Sequence, residues 1–316
     1  MPQLISPRIA DQQKASTGDL VDTPKYDDLI YDIGMHKGED TDFYLRKGFR
    51  VIGFEANPDL VSSCDRRFKE FIDQKRLIIV EGAILDPSAL SPGQKKVQFH
   101  VSKSNSVWGT VRLDWANRNQ RMGDSSTTVE VEVVDLANVL RQHGVPHYMK
   151  IDIEGCDMAC VNTLRSFRQR PDYISLETEK TSFQDIQQQI DALVELGYDS
   201  FRVVEQSKIH CSQSPPFPPT EGNYVAYQFE KGSSGLFGSE LGDRWDSQGQ
   251  ILRHYRTVSL GYRLLGDDGL MSQWKSPVGR LVRSLTRNAL KLATGEVVPG
   301  WHDTHARHSS SKPSST

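Results

Sequence analysis

The sequence predicts an α/β protein: an open, mostly parallel sheet with helices wound on both faces. Short strand-forming runs such as Leu29–Ile33 and Arg50–Phe54 alternate with stretches of helical composition, the pattern of repeated βαβ units. The first run ends in a glycine loop, Asp32-Ile33-Gly34-Met35-His36-Lys37-Gly38, that leads into a helix. Acidic residues close several runs, at Glu55, Glu81, Asp152 and Glu177, where an open parallel sheet presents its ligand crevice.

The polar, irregular residues 1–26 read as a mobile arm. Glu39–Lys47 has helical composition, with Phe43 and Tyr44 available to face inward and Gly48 as a C-cap. Pro58 suits the first turn of a helix reaching Gln74. Leu77–Val80 is a third strand, followed by Gly82 and Ala83, small enough for a flat base to come close; a plain turn is the alternative. Lys96–Ser102 and Thr127–Val133 alternate as half-exposed strands. Between them lies an insertion whose Trp108 and Trp115 could wall a substrate site.

Asp135–Gln142 is a short helix, and His147–Ile153 the next strand. Helix Asp157–Arg168, strand Asp172–Leu176 and helix Phe183–Leu196 follow. Ser200–Val204 and Asn223–Phe229, on either side of a proline-rich loop, complete seven core strands, the last pair antiparallel at the edge. This bounds a main domain at 27–230. Beyond it, 231–300 reads as a glycine-rich, lid-like segment followed by an amphipathic helix. That helix, 278–292, carries Arg280, Arg283, Arg287 and Lys291 opposite an apolar face. It suits docking on its own domain, with peripheral membrane contact as the alternative. Residues 301–316, with His302, His305 and His308, read as a flexible, solvated tail.

A net charge of −3 gives no basic surface for nucleic acid. No run approaches the roughly 20 apolar residues of a membrane span, and the N-terminus lacks the apolar core of a signal peptide. A cytoplasmic location is expected. Cys64, Cys156, Cys160 and Cys211 have neither disulfide-framework nor zinc-ribbon spacing.

The loop narrows the chemistry. Its D-x-G-x-x-x-G spacing lacks the G-x-G-x-x-G of dinucleotide sites. A carboxylate at Asp32 would repel a pyrophosphate and suit a cationic amino-acid group. S-adenosylmethionine has such a group, a ribose diol for Glu55 and no phosphate. On this reading Asp32, Gly34, Gly38, Glu55, Gly82 and Ala83 bind the cofactor. Lys150, Asp152 and Glu154 alternate along one strand face, a charge load that is costly to bury unless paired or used. Asp152 is the first choice for a catalytic base, with Glu154, Glu177 and His36 behind it. A divalent cation on Asp152, Glu154 and Glu177 is the less favoured reading, so no metal is expected. A nicotinamide-dependent oxidoreductase and a non-catalytic binding protein are the alternatives.

The order DIGMHKG, GFEANP, EGAILD, MKIDIEG and ISLETE, over 26–230, resembles the FkbM-type methyltransferases. The resemblance implies a class I, Rossmann-like seven-stranded fold and S-adenosylmethionine as donor. Asp32, Gly34 and Gly38 would cradle its methionine moiety and Glu55 its ribose. It further implies O-methylation of a small hydroxylated acceptor: a sugar, a polyketide or a glycoconjugate. Met35-His36-Lys37 departs from the small or amide residues commoner in that loop. GSSGLFGSELGDRW is similar to the extension of one bacterial subgroup.

Overall fold

The computed structural model of the chain describes residues 20–102, 109–113, 115, 125–178, 182–207, 209–265, 270–271, 274, 276–294 and 301–311. Trp108 therefore lies outside the described residues. The strands are β1 Lys25–Ile33, β2 Arg50–Glu55, β3 Leu77–Glu81, β4 Lys96–Ser102, β5 Ser126–Glu132, β6 Val145–Ile151, β7 Tyr173–Glu177, β8 Tyr198–Glu205 and β9 His302–His308. The helices are α1 Glu39–Arg46, α2 Pro58–Arg67, α3 Lys69–Asp73, α4 Leu136–His143, α5 Asp157–Leu164, α6 Phe183–Glu195, α7 Ile209–Ser212, α8 Gln248–Leu265 and α9 Pro277–Thr294.

Seven strands form one sheet in the order β3-β2-β1-β6-β7-β9-β8, and β4 and β5 pair separately as an antiparallel ribbon. From β3 to β7 every pairing is parallel, whereas β9 runs antiparallel to both β7 and β8. This is the expected doubly wound architecture, ending in an antiparallel edge. The strand order reverses between β1 and β6, and the crevice opens at their carboxyl ends. Leu29 to Ile33 are buried without interruption, since an inner parallel strand is covered on both faces. One face packs Tyr31, Met149, Ile151 and Ile174 among α4, α5, α6 and α8. The other packs Ile30 and Tyr148 beneath Phe43, Tyr44 and Phe237.

The reversed strand is not Asn223–Phe229, which forms no strand; β9 fills that place, where a flexible tail was expected. Part of this polar stretch is buried through paired side chains. Thr304 Oγ1 meets Tyr255 Oη at 2.6 Å and Thr178 Oγ1 at 2.9 Å, and Asp303 accepts from Gln206 Nε2. Ala306 is fully buried in the core. Tyr227 and Phe229 instead pack on the Phe43 ring at 5.0 and 4.9 Å.

Three boundaries also shift. The helix expected over 58–74 breaks at Phe68 (φ −107°, ψ 18°), giving α2 and α3. The end of the expected arm is tied down: Val21 N–H donates to Ser166 O at 2.8 Å, and Lys25 and Tyr26 belong to β1. The glycine-rich segment after 230 is packed rather than loose, for Ser234 N–H donates to both Asp40 carboxylate oxygens at 2.9 and 3.0 Å. At the opposite end of the sheet, His147 lies between Asp172 Oδ2 and Glu221 Oε2, each 2.9 Å away. Burial pushes its pKa down, but the two carboxylates outweigh that and raise it to about 9.

Candidate active site

A cleft of about 970 Å³, counting its open mouth, lies over the carboxyl ends of β1, β2 and β6. It brings together Gly34, His36, Glu55, Gly82, Ala83, Asp152 and Glu154 among the residues expected from sequence. Gly34 has φ +83°, and an added Cβ would stand 1.9 Å from Asp152 O. Only a glycine lets the ends of β1 and β6 approach so closely. The Gly34 and Met35 N–H groups both donate to Phe54 O, at 3.0 and 2.9 Å, so these two amides serve the fold rather than a ligand.

Two expected cofactor residues lie elsewhere. Gly38, at φ +80°, does not line the cleft; an added Cβ would stand 2.3 Å from the Phe68 ring, so its glycine is a packing requirement. Asp32 is fully buried beneath the floor and accepts from Thr41 Oγ1 at 2.6 Å and Lys150 Nζ at 3.3 Å. It therefore holds Lys150 in place and is not part of the cleft lining.

Lys150 does line the cleft, with Nζ 3.2 Å from Gly34 O, 3.6 Å from Asp40 Oδ2 and 3.8 Å from Asp152 Oδ2. Burial works against its charge, but the three carboxylates outweigh burial and hold its pKa well above the usual lysine range. Asp40 is pushed up to about 7, by burial first, against the pull of Lys150. Three carboxyl groups around one ammonium leave the floor net negative. The sequence showed Lys150 alternating with Asp152, but gave no sign that Asp40, on α1, would join them.

The second wall carries Glu55. Its Oε2 accepts from His36 N–H at 2.9 Å and its Oε1 from Asn57 N–H at 2.8 Å. Each oxygen keeps a further lone pair for a ligand hydroxyl. Burial pushes the Glu55 pKa up to about 7. Gly82 and Ala83 lie beside it, with Ile84 and Phe99 completing an apolar slot. Their amides are engaged, Gly82 N–H with Glu55 O and Ala83 N–H with Glu132 O, both at 2.9 Å. Both N–H groups are thus taken up by the fold.

The candidate bases separate by position. The Asp152 side chain is 29% exposed and reaches the cleft, as does Glu154 from a left-handed turn residue (φ +44°). The His36 ring is engaged by Glu39, with Nδ1 2.9 Å from Oε1. Glu177 does not line the cleft and pairs in register with Asp303. Trp115 packs against the Gly155 turn, away from the cleft lining, while Trp301 supplies a wall that the sequence reading had assigned to the tail. Among the described residues no group of three His, Cys, Asp or Glu side chains is placed to hold a metal.

The profile of the methyltransferase FkbM domain matches residues 32–200, more than half of the chain. The chain belongs to the FkbM methyltransferase family. No curated protein matches it. Solved structures similar to it include precorrin-6y C5,15-methyltransferase from Geobacter metallireducens, 15% identical, covering 58% of this chain and 72% of that one at a TM-score of 0.30. A second is an S-adenosylmethionine-dependent methyltransferase from Geobacter sulfurreducens in complex with S-adenosylhomocysteine, 11% identical, covering 90% and 86% at a TM-score of 0.29. Neither score carries an argument; the family match does.

For an FkbM methyltransferase the cofactor is S-adenosylmethionine, and the residues present fit it. The negative floor suits its ammonium and sulfonium charges, Glu55 its ribose diol, and the Ala83–Phe99 slot its base. Membership in a methyltransferase family sets the nicotinamide reading aside.

Proposed function

We propose that the protein methylates a hydroxyl oxygen on a small acceptor such as a sugar, a polyketide or a glycoconjugate, with Asp152 as the base. The observation that carries this is the Asp152 carboxylate, exposed in the cleft and held 3.8 Å from the Lys150 ammonium. Bound S-adenosylmethionine supplies an electrophilic methyl group. Glu55 accepts the ribose hydroxyls, the Lys150–Asp32–Asp40 cluster fixes the floor, and Gly82 and Ala83 leave room for the adenine. Positioning of two reactants and exclusion of water then carry much of the rate. Asp152 takes the proton that the acceptor hydroxyl loses. Glu154 is the nearest alternative on the same rim.

Asp152→Asn is expected to lower turnover by about 10²–10⁴-fold. Cofactor affinity should change little, because Asp32 and Asp40 remain. Release of S-adenosylhomocysteine with a panel of hydroxylated metabolites is the readout. An unchanged rate removes Asp152 from this role, and no turnover with any acceptor favours a binding protein.

Cofactor binding should also depend on pH through Glu55. A diol donates best to the ionised carboxylate, so binding weakens as pH falls through about 7. The expected loss in affinity is about tenfold between pH 8 and pH 6. Calorimetry on Glu55→Gln should show weaker binding with a shallower pH profile, the remaining slope belonging to Asp40, which burial also pushes up to about 7. A profile as steep as that of the unaltered protein would acquit Glu55.

A further inference from the structure

Helix α9 carries an apolar stripe that faces solvent among the described residues. Val278, Leu281, Leu285 and Leu292 are 71, 59, 60 and 89% exposed. At 3.6 residues per turn they fall on one side of the helix. A different face, with buried Gly279 and half-buried Val282, Thr286 and Leu290, lies beside the stripe. Arg283 Nη2 donates to Leu265 O of α8 at 3.4 Å, which helps set the helix on its neighbour. Trp274, 46% exposed just ahead of α9, lies over Gly279 on that neighbouring face.

The charge pattern identifies the occupant. Helices α8 and α9 together hold seven Arg and Lys residues and no Asp or Glu, in a chain whose net charge is −3. On α9 the cations Arg280, Arg283, Arg287 and Lys291 lie on the side away from the stripe. An apolar face backed by a purely cationic one is the pattern of helices that lie in the surface of an anionic bilayer. Among the described residues no helix is long and apolar enough to cross a membrane, so contact through α9 is peripheral.

We propose that α9 docks the protein on an anionic lipid surface. The end of α9 is seven residues from Trp301 of the cleft wall, so at full extension the two are no more than about 25 Å apart. Docking therefore brings the cleft near the surface, where a lipid-anchored acceptor could reach it. The docking does not rest on the methyl-transfer reading, because it is measured without turnover.

The test is flotation of the full chain with phosphatidylcholine vesicles, with and without phosphatidylglycerol. Binding is expected only with the anionic lipid, and is expected to weaken with added salt. Leu281→Asp/Leu285→Asp should reduce it at least about tenfold, with an unchanged circular dichroism spectrum because both positions are exposed. Arg280→Gln/Arg287→Gln/Lys291→Gln should weaken it about fivefold for each charge removed near the surface. Failure to bind either vesicle overturns the proposal, as does equal binding to both. A solution dimer that the leucine variant dissociates would assign the stripe to a second copy and overturn it too.

Discussion

Gly34→Ala is expected to cost more than 4 kcal/mol of stability, a loss outside the usual range for a single substitution, and to abolish cofactor binding. Two penalties combine there. The backbone sits at φ +83°, where a side chain is strained by roughly 1–2 kcal/mol. The new methyl would also meet Asp152 O at 1.9 Å, and that oxygen is backbone rather than the movable end of a side chain. Relief requires the ends of β1 and β6 to part, which breaks the 2.9 Å bond from Asp152 N–H to Ile33 O. Gly93→Ala is the control, with φ +78° and nothing within 4 Å of an added Cβ, so only the conformational penalty applies. Urea unfolding of the two variants separates the effects. Equal losses would mean that the strand ends are not in close contact.

Such a contact explains why the first half of the cleft could be read from the sequence. A parallel strand, a glycine turn and a carboxylate at the next strand end are local signals, and Gly34, Glu55 and Asp152 follow from them. The place of the Asp32 carboxylate was not legible, because sequence puts it beside the glycine without telling which way it points. It points under the floor, to Lys150 and Thr41. Asp40 and Trp301 join the site from α1 and from the start of β9, through contacts that no local pattern encodes. β9 itself was hidden by composition. His302, Asp303, Thr304 and His305 look like a solvated tail, yet all four are buried. The burial of Asp303 and Thr304 depends on partners such as Gln206 and Tyr255, which lie about 50 to 100 residues away in the chain.

Glu240→Ala should destabilise the protein by about 3–5 kcal/mol, the range for stripping one partner from a buried ion pair. Lys47 and Glu240 are both sealed from solvent, with Nζ 2.6 Å from Oε1, and the ammonium also donates to Asn223 O at 3.1 Å. Burial pushes the Glu240 carboxyl up to about 7 even beside that lysine. The pair is thus held against a large desolvation cost, and removing the acid leaves the cation without its counter-charge. The double variant Lys47→Met/Glu240→Leu removes both charges at similar volume and is expected to recover most of the loss. Urea unfolding of the single and double variants gives the coupling directly; additive losses would mean that the two side chains are not paired. The consequence reaches the cleft, because the pair ties α1 to the segment whose Gly232 lines the cleft and whose Ser234 holds Asp40. Glu240→Ala should therefore weaken cofactor binding although Glu240 lies outside the cleft, whereas the double variant should bind almost normally.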